Sequence, residues 1–274
     1  MTRKGKVILI ILGIIVLLPL LWKYGYDFQF KNSENLGPSI TYILGTDYLG
    51  RDILLRLLVA FSVSFFIGVI SAFTTTCIGF ILGTISAQKG GWVDAIIMGI
   101  TDIFYVVPSV LVVIILQIIF YEVNIIKTNS LWGSIWPMIV SFSLLYWMSF
   151  ARVVRATVLS LKTQEFYQVS VSFGGNSFHI LKYHIIPCMT KLLLTNFIIQ
   201  IPNIVVSEAF FSFIGLGIPP NIPSIGGLIS EYMNSIYSYP FRAIYPIIAL
   251  ILLIIFMKSL SVELLKKQSV LESA

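Results

Sequence analysis

Charge is what this sequence has least of. Only 11% of its 274 residues are Asp, Glu, Lys or Arg, and 57% are hydrophobic. A soluble domain carries about 25% charged residues, so a globule surrounded by water is excluded. The class that remains is an all-α polytopic membrane protein. Two cysteines, Cys77 and Cys188, stand far apart in apolar surroundings. They imply neither a disulfide framework nor a zinc site, and they leave the redox compartment open. His179 and His184 are the only histidines. Five residues apart, they do not share a face of an ordinary α-helix, which argues against a two-histidine metal site. No G-x-x-x-x-G-K-[ST] loop, H-E-x-x-H or G-x-S-x-G occurs. Nucleotide hydrolysis or other catalysis by this chain is therefore not expected, nor is a bound cofactor or metal. The net charge of +6 is read through its distribution along a bilayer rather than as a nucleic-acid surface.

What the sequence has in quantity is long apolar runs. A membrane helix needs about 20 largely apolar residues. Six spans are predicted: Val7–Trp22, Leu57–Gln88, Ala95–Phe120, Trp132–Leu161, Leu192–Gly217 and Ala243–Leu260. The first follows Arg3, Lys4 and Lys6, but Pro19–Tyr24 offers no small-residue cleavage site, so an uncleaved anchor is expected rather than a signal peptide. The predicted organisation is an anchor at 1–22, an outer segment at 23–56, a permease-like transmembrane domain at 57–262 and an inner tail at 263–274. With the N-terminus inside, twelve Lys and Arg fall on inner segments and six on outer ones. This bias predicts that both termini are cytoplasmic. Of the outer cations, Arg51 and Arg56 have Asp47 and Asp52 within reach to offset them.

The inner stretch from about Lys162 to Lys191 is far longer than the roughly 2–8 residues a helix connection needs. Thr163 is a candidate N-cap for a short helix to Phe173, with Phe166, Val169, Ser170 and Phe173 on one face. Gly174-Gly175 then turns the chain through dihedrals barred to other residues. Asn176 or Ser177 caps a second helix, Phe178–Ile186, which ends at Pro187. From the residues alone, this helix–Gly–helix foot is equally an amphipathic hairpin resting on lipid headgroups.

Four motifs carry a resemblance. The spacing from Glu165 through Gly174 and His184 to Pro187 resembles the EAA loop of ABC importer permeases. GTDYLGRD (Gly45–Asp52), the run Gln88–Leu111 and SEAFFSFIGLGIPP (Ser207–Pro220) resemble segments of the dipeptide/oligopeptide/nickel branch of that family, in the same order. The resemblance implies a type I importer permease fold in a bacterial cytoplasmic membrane. It also implies a second homologous permease, one or two P-loop ATPase subunits and an extracytoplasmic solute-binding protein as partners, and ATP and Mg used by the ATPase rather than by this chain. Peptides are the implied substrate, with nickel or a metal chelate as the alternative. An ATP-independent secondary transporter or channel is a reading of another class. On this resemblance Glu165, Phe166, Gln168, Val169, Ser170, Phe173, Gly174, Gly175, His184 and Pro187 form the ATPase-coupling loop. Gly45, Thr46, Asp47, Gly50, Arg51 and Asp52 form the outer motif. Departures exist: Gln168-Val169-Ser170 stands where the family has E-A-A, Cys188 stands where Asn is usual, and the chain closes with ELLKKQSVLESA instead of the family's ending.

Chemistry alone adds several expectations. Glu208 lies deep in an apolar span, where an acid marks a pathway or a hydrogen-bonded structural site. Phe211, Phe213, Gly215 and Gly217 follow it as gate or packing candidates. Arg152 and Arg155 suit phospholipid headgroups or the last carbonyls of their own helix. His184 is expected to brace the foot near the membrane surface. The Pro- and Gly-rich segment after Gly217 is expected to form a re-entrant or surface helix.

Overall fold

A computed structural model describes Gly13, residues 25–123 and residues 131–272. The predicted anchor at 1–22 lies, but for Gly13, outside the described residues. Helix α1 (Ile53–Lys89) starts where the Asp52 carboxylate accepts from the N–H groups of Leu54 and Leu55, at 2.8 and 3.3 Å. Such a cap satisfies donors that have no partner inside the helix. At the other end Lys162 Nζ donates to the carbonyls of Ala87 and Gln88, placing a cation against the negative end of α1.

Helices α2 (Gly91–Val106) and α3 (Ser109–Glu122) replace the single span predicted for Ala95–Phe120; their axes bend by 98°. Pro108 is the cause. It lacks an N–H and disfavours helical geometry in the residue before it, and Val107 is extended (φ −79°, ψ 128°). Helix α4 (Leu131–Lys162) runs back to the short α5 (Glu165–Ser172) and α6 (Ser177–Ile180). A π-helical turn, Leu181–Ile185, leads directly into α7 (Ile186–Phe213). Pro187 therefore opens a long helix rather than ending a short one, because the first turn needs no N–H from it. Helices α8 (Ile225–Met233) and α9 (Pro240–Glu272) follow. By length and composition α1, α4, the stretch Ser177–Phe213 and α9 can cross a bilayer, four among the described residues, and the bent pair is either a fifth, broken span or a re-entrant loop.

Helices α1 and α4 form the centre. They bury half or more of their most apolar stretch inside the chain, whereas the stretch Ser177–Phe213 and α9 bury little more than a quarter and leave the rest uncovered by the described residues. Glycines set the closeness of approach. A Cβ on Gly83 would sit 2.5 Å from the Ala151 carbonyl and 2.8 Å from Val154 Cβ; one on Gly79 would meet the Trp147 carbonyl at 2.9 Å. Between lipid-embedded helices packing and hydroxyl bonds do the work that water exclusion does elsewhere. Accordingly Gln117 donates to Ser141 (3.0 Å), Asn196 to Thr76 (3.0 Å), and Tyr146 pairs with Ser207 (2.7 Å). The main core joins Ile67, Phe142, Ile204, Phe211, Ile225 and Tyr232. A second core, of Ala87, Phe150, Val154, Val158, Ile180, Ile185 and Met189, roots the foot.

Candidate functional site

The foot projects from the end of the bundle where α1 and α4 finish. Its first helix starts at Glu165, an acid at the positive end of the helix dipole. Gln164, not Thr163, holds the cap position; Thr163 Oγ1 donates to the Ser160 carbonyl instead (2.8 Å). Gly174 has φ +81°, which L side chains rarely adopt, and open space around it. Close approach belongs to its neighbour: a Cβ on Gly175 would lie 2.7 Å from the Ser170 carbonyl, which accepts the Gly175 N–H at 2.9 Å. Asn176 Oδ1 caps α6 by accepting from His179 N–H (2.7 Å). Because the next turn is π-helical, residues five apart are neighbours there. The His179 and His184 rings are 6.2 Å apart, contrary to the separate faces predicted, and His184 also faces Phe166 at 5.8 Å. Among the described residues no group of three or more metal-ligating side chains occurs. Phe166 and Ser170 are half-buried, whereas Gln168, Val169 and Phe173 are exposed, Phe173 at 89%. Phe178 (71%) and Tyr183 (57%) are exposed on the same foot, so it presents several large apolar side chains that the described chain leaves largely open.

At the opposite end residues 25–52 fold into a cap. Thr46 is fully buried; its hydroxyl donates to the Ser33 carbonyl and accepts from Leu36 N–H (2.9 Å). A Cβ on Gly45 or Gly50 would strike the Leu36 or Phe30 carbonyl at 2.5 or 2.6 Å. Asp47, fully buried, takes Arg51 Nε at 2.7 Å and Arg56 Nη1 at 3.0 Å. Glu231 of α8 binds the same two guanidiniums, Arg56 Nη2 at 2.8 Å. Of the two acids expected from the sequence to offset these arginines, Asp47 does so, whereas Asp52 is occupied as the α1 cap. Burial pushes the Tyr232 phenol up, and its oxygen lies 3.4 Å from Arg56 Nη1. Above this network opens a cavity of about 1050 Å³, walled by the cap, the end of α3, the start of α8 and the turn Gly215–Pro223.

The gate candidates separate. Phe211 packs into the core 6.1 Å from Phe142, while Phe213 is 41% exposed. Gly215 and Gly217 line the cavity. Glu208 is fully buried beneath it, accepting from Ser64 (2.7 Å) and Ser212 (2.6 Å). Ser64 Oγ also accepts from Ile225 N–H (3.2 Å), so the acid is linked to the start of α8. Arg152 and Arg155 turn to acids of a neighbouring helix rather than to the last carbonyls of their own. Arg155 pairs with Asp94 (Nε to Oδ1 2.6 Å) and Arg152 with Asp102 (2.7 Å), stacking on Tyr105, so both pin α2 to α4. Glu231 went unnoticed in the sequence. Its one signal was being the only charge between Gly217 and Pro240.

Long apolar helices packed through glycine and hydroxyl contacts, capped at one end and footed at the other, are the build of a membrane-embedded transport component. The chain belongs to the family described as binding-protein-dependent transport system inner membrane component, whose model matches residues 76–267. It is 34% identical over 251 residues to the oligopeptide transport system permease protein OppC of Bacillus subtilis (strain 168), covering 89% of this chain and 79% of that protein. It is 30% identical over 239 residues to the dipeptide transport system permease protein DppC of the same organism, covering 87% and 71%. It is 31% identical over 250 residues to the glutathione transport system permease protein GsiD of Escherichia coli O6:K15:H31 (strain 536 / UPEC), covering 90% and 78%. Among solved structures, a chain of the methionine ABC transporter MetNI in inward-facing conformations matches with a TM-score of 0.57 and 17% identity, over 78% of this chain and 97% of that one. That likeness is one of fold, the type I importer permease fold, and the family read from four short motifs is the family found.

Proposed function

We propose that this chain is the permease subunit of an ATP-driven peptide importer. The observation that carries the reading is the foot: the apolar side chains of Val169, Phe173, Phe178 and Tyr183, carried on either side of a glycine turn and left largely open by the described chain. Its natural occupant is a groove on a separate P-loop ATPase, since the chain has no phosphate-binding loop of its own. The Lys and Arg bias puts the foot in the cytoplasm and the cap outside. A second, related permease would complete the pathway, and a binding protein would deliver substrate to the cap face. Closure of the ATPase dimer would draw two feet together and switch the paired bundles between two packed states by rigid-body motion. The relatives named above serve oligopeptides, dipeptides and glutathione, itself a tripeptide, which favours peptides over nickel.

The test is co-purification of the tagged chain with the ATPase subunits of its transporter. Phe173→Asp, which puts a charge into an interface that must exclude water, is expected to lower ATPase recovery at least about tenfold with membrane levels unchanged. ATP-independent peptide uptake by this chain alone in liposomes would refute the proposal.

A further inference from the structure

We propose that the cavity at the cap end is a peptide subsite. In it Asp27 and Glu122 receive the free α-ammonium group, and a carbonyl or carboxylate of the peptide meets the arginine wall. This rests on the peptide-permease reading and adds to it which residues read which end of the substrate.

Size comes first. Pockets that enclose small molecules run to about 300–1,000 Å³, and a cavity of about 1050 Å³ holds a short peptide. Charge comes second. Arg51 and Arg56 share Asp47 and Glu231, so those two acids are engaged. The two other acids on the wall are not matched in this way. Asp27 meets Arg51 through Oδ1 alone, at 3.2 Å, and its side chain stays 61% exposed. Glu122 is exposed at the C-terminal end of α3 and makes no ion pair among the described residues. There the helix carbonyls add to its negative potential and favour a cation. Pro219, Pro220 and Pro223, also on the cavity wall, have no N–H to donate. Ammonium, with three donors and no acceptor, suits such a surface.

The third observation is an unmet donor. Arg56 lines the cavity, is 1% exposed, and its Nε–H has no partner among the described residues. A buried donor left unpaired is costly; this one is enclosed, so an acceptor in the cavity reaches it only when a side chain of the wall shifts aside. A ligand with an ammonium at one end and carbonyl or carboxylate oxygens along it answers both needs.

The experiment uses the intact transporter in lipid nanodiscs without its binding protein, titrated calorimetrically with trialanine and with N-acetyl-trialanine. Trialanine is expected to bind at least about tenfold more tightly, the loss of a charge-assisted hydrogen bond accounting for the difference. In the Asp27→Asn/Glu122→Gln double variant the two probes should agree within about twofold. An unchanged thermal midpoint shows that this variant is folded. Equal affinities in the parent, an undiminished preference in the double variant, or no binding of either probe overturns the subsite. Uptake by proteoliposomes with ATPase and binding protein separates the two levels. Trialanine uptake without discrimination in the binding assay removes the subsite and leaves the permease reading. No uptake of trialanine or longer alanine peptides removes both.

Discussion

Asp47 and Asp52 are five residues apart and differ in what they hold. Asp47, itself fully buried, is one of the two acids that Arg51 and Arg56 share, so removing it leaves two buried guanidiniums sharing Glu231. Breaking such a pair costs about 3–5 kcal/mol. Asp47→Ala is therefore expected to lower the thermal midpoint of the solubilised protein sharply, or to prevent its recovery. Asp52 only caps a helix. Asp52→Ala should cost about 1 kcal/mol, and Asp52→Asn a few tenths, because an amide oxygen caps nearly as well. Equal losses for Asp47→Ala and Asp52→Ala would show that the ion network does not stabilise the cap. Burial also raises the Asp52 carboxyl above its ordinary range, against the two backbone bonds that favour its charged form.

Two elements are set by what a side chain cannot do. Gly83 allows α1 and α4 to touch backbone to side chain, and Gly83→Val forces two atoms into space already filled by the Ala151 carbonyl and Val154. Overpacking of this kind costs about 1–3 kcal/mol or more. The same change at Gly99, where a Cβ meets nothing within 4 Å, removes glycine's poor helix propensity without a clash and should leave the thermal midpoint level or slightly raised, so the pair of variants separates packing from propensity in one thermal assay. Pro108 sets the elbow between α2 and α3. Ile96 and Ile115 are both about half exposed and suit spin labels. Across a bend of 98° their Cα atoms are about 19 Å apart by helix geometry, against about 28 Å in a straight helix. Pro108→Ala is expected to shift the measured distances toward the longer value. An unmoved distribution would assign the elbow to the Asp94 and Asp102 ion pairs instead.

For the whole molecule the arrangement predicts sidedness. In a background without Cys77 and Cys188, a cysteine at Phe173 should react with a membrane-impermeant maleimide only in inside-out vesicles. A cysteine at Ile40, fully exposed on the cap, should react only in intact cells. The reverse pattern would invert the topology and leave the foot facing away from any cytoplasmic ATPase. The two ends differ as their tasks require. The cap is fastened by buried ion pairs and by Arg242 bound to Asn35 (2.8 Å), whereas the foot is rooted by a small apolar core and leaves its outer face free.

By itself the sequence determined the class, the family and the ends of α4 and α5. Those follow from run length, from proline and glycine, and from short motifs, all local properties that survive without a three-dimensional partner. Asn176 as a cap of α6 is legible in the same way, whereas Asp52 reads from sequence as a partner for the nearby arginines and only the structure makes it a cap. Only the tertiary structure decided which charges meet. Arg152 and Arg155 read from sequence as lipid anchors or caps of their own helix because Asp102 and Asp94 lie 50 and 61 residues earlier, and Glu231 joined Arg51 of GTDYLGRD and the nearby Arg56 from 180 and 175 residues away. The π-turn that unites the two histidines was hidden because nothing in the local residue pattern distinguishes it from an ordinary helical turn. Ion pairs and cavities arise where separate helices converge, and convergence is a property of packing that no single stretch of residues contains.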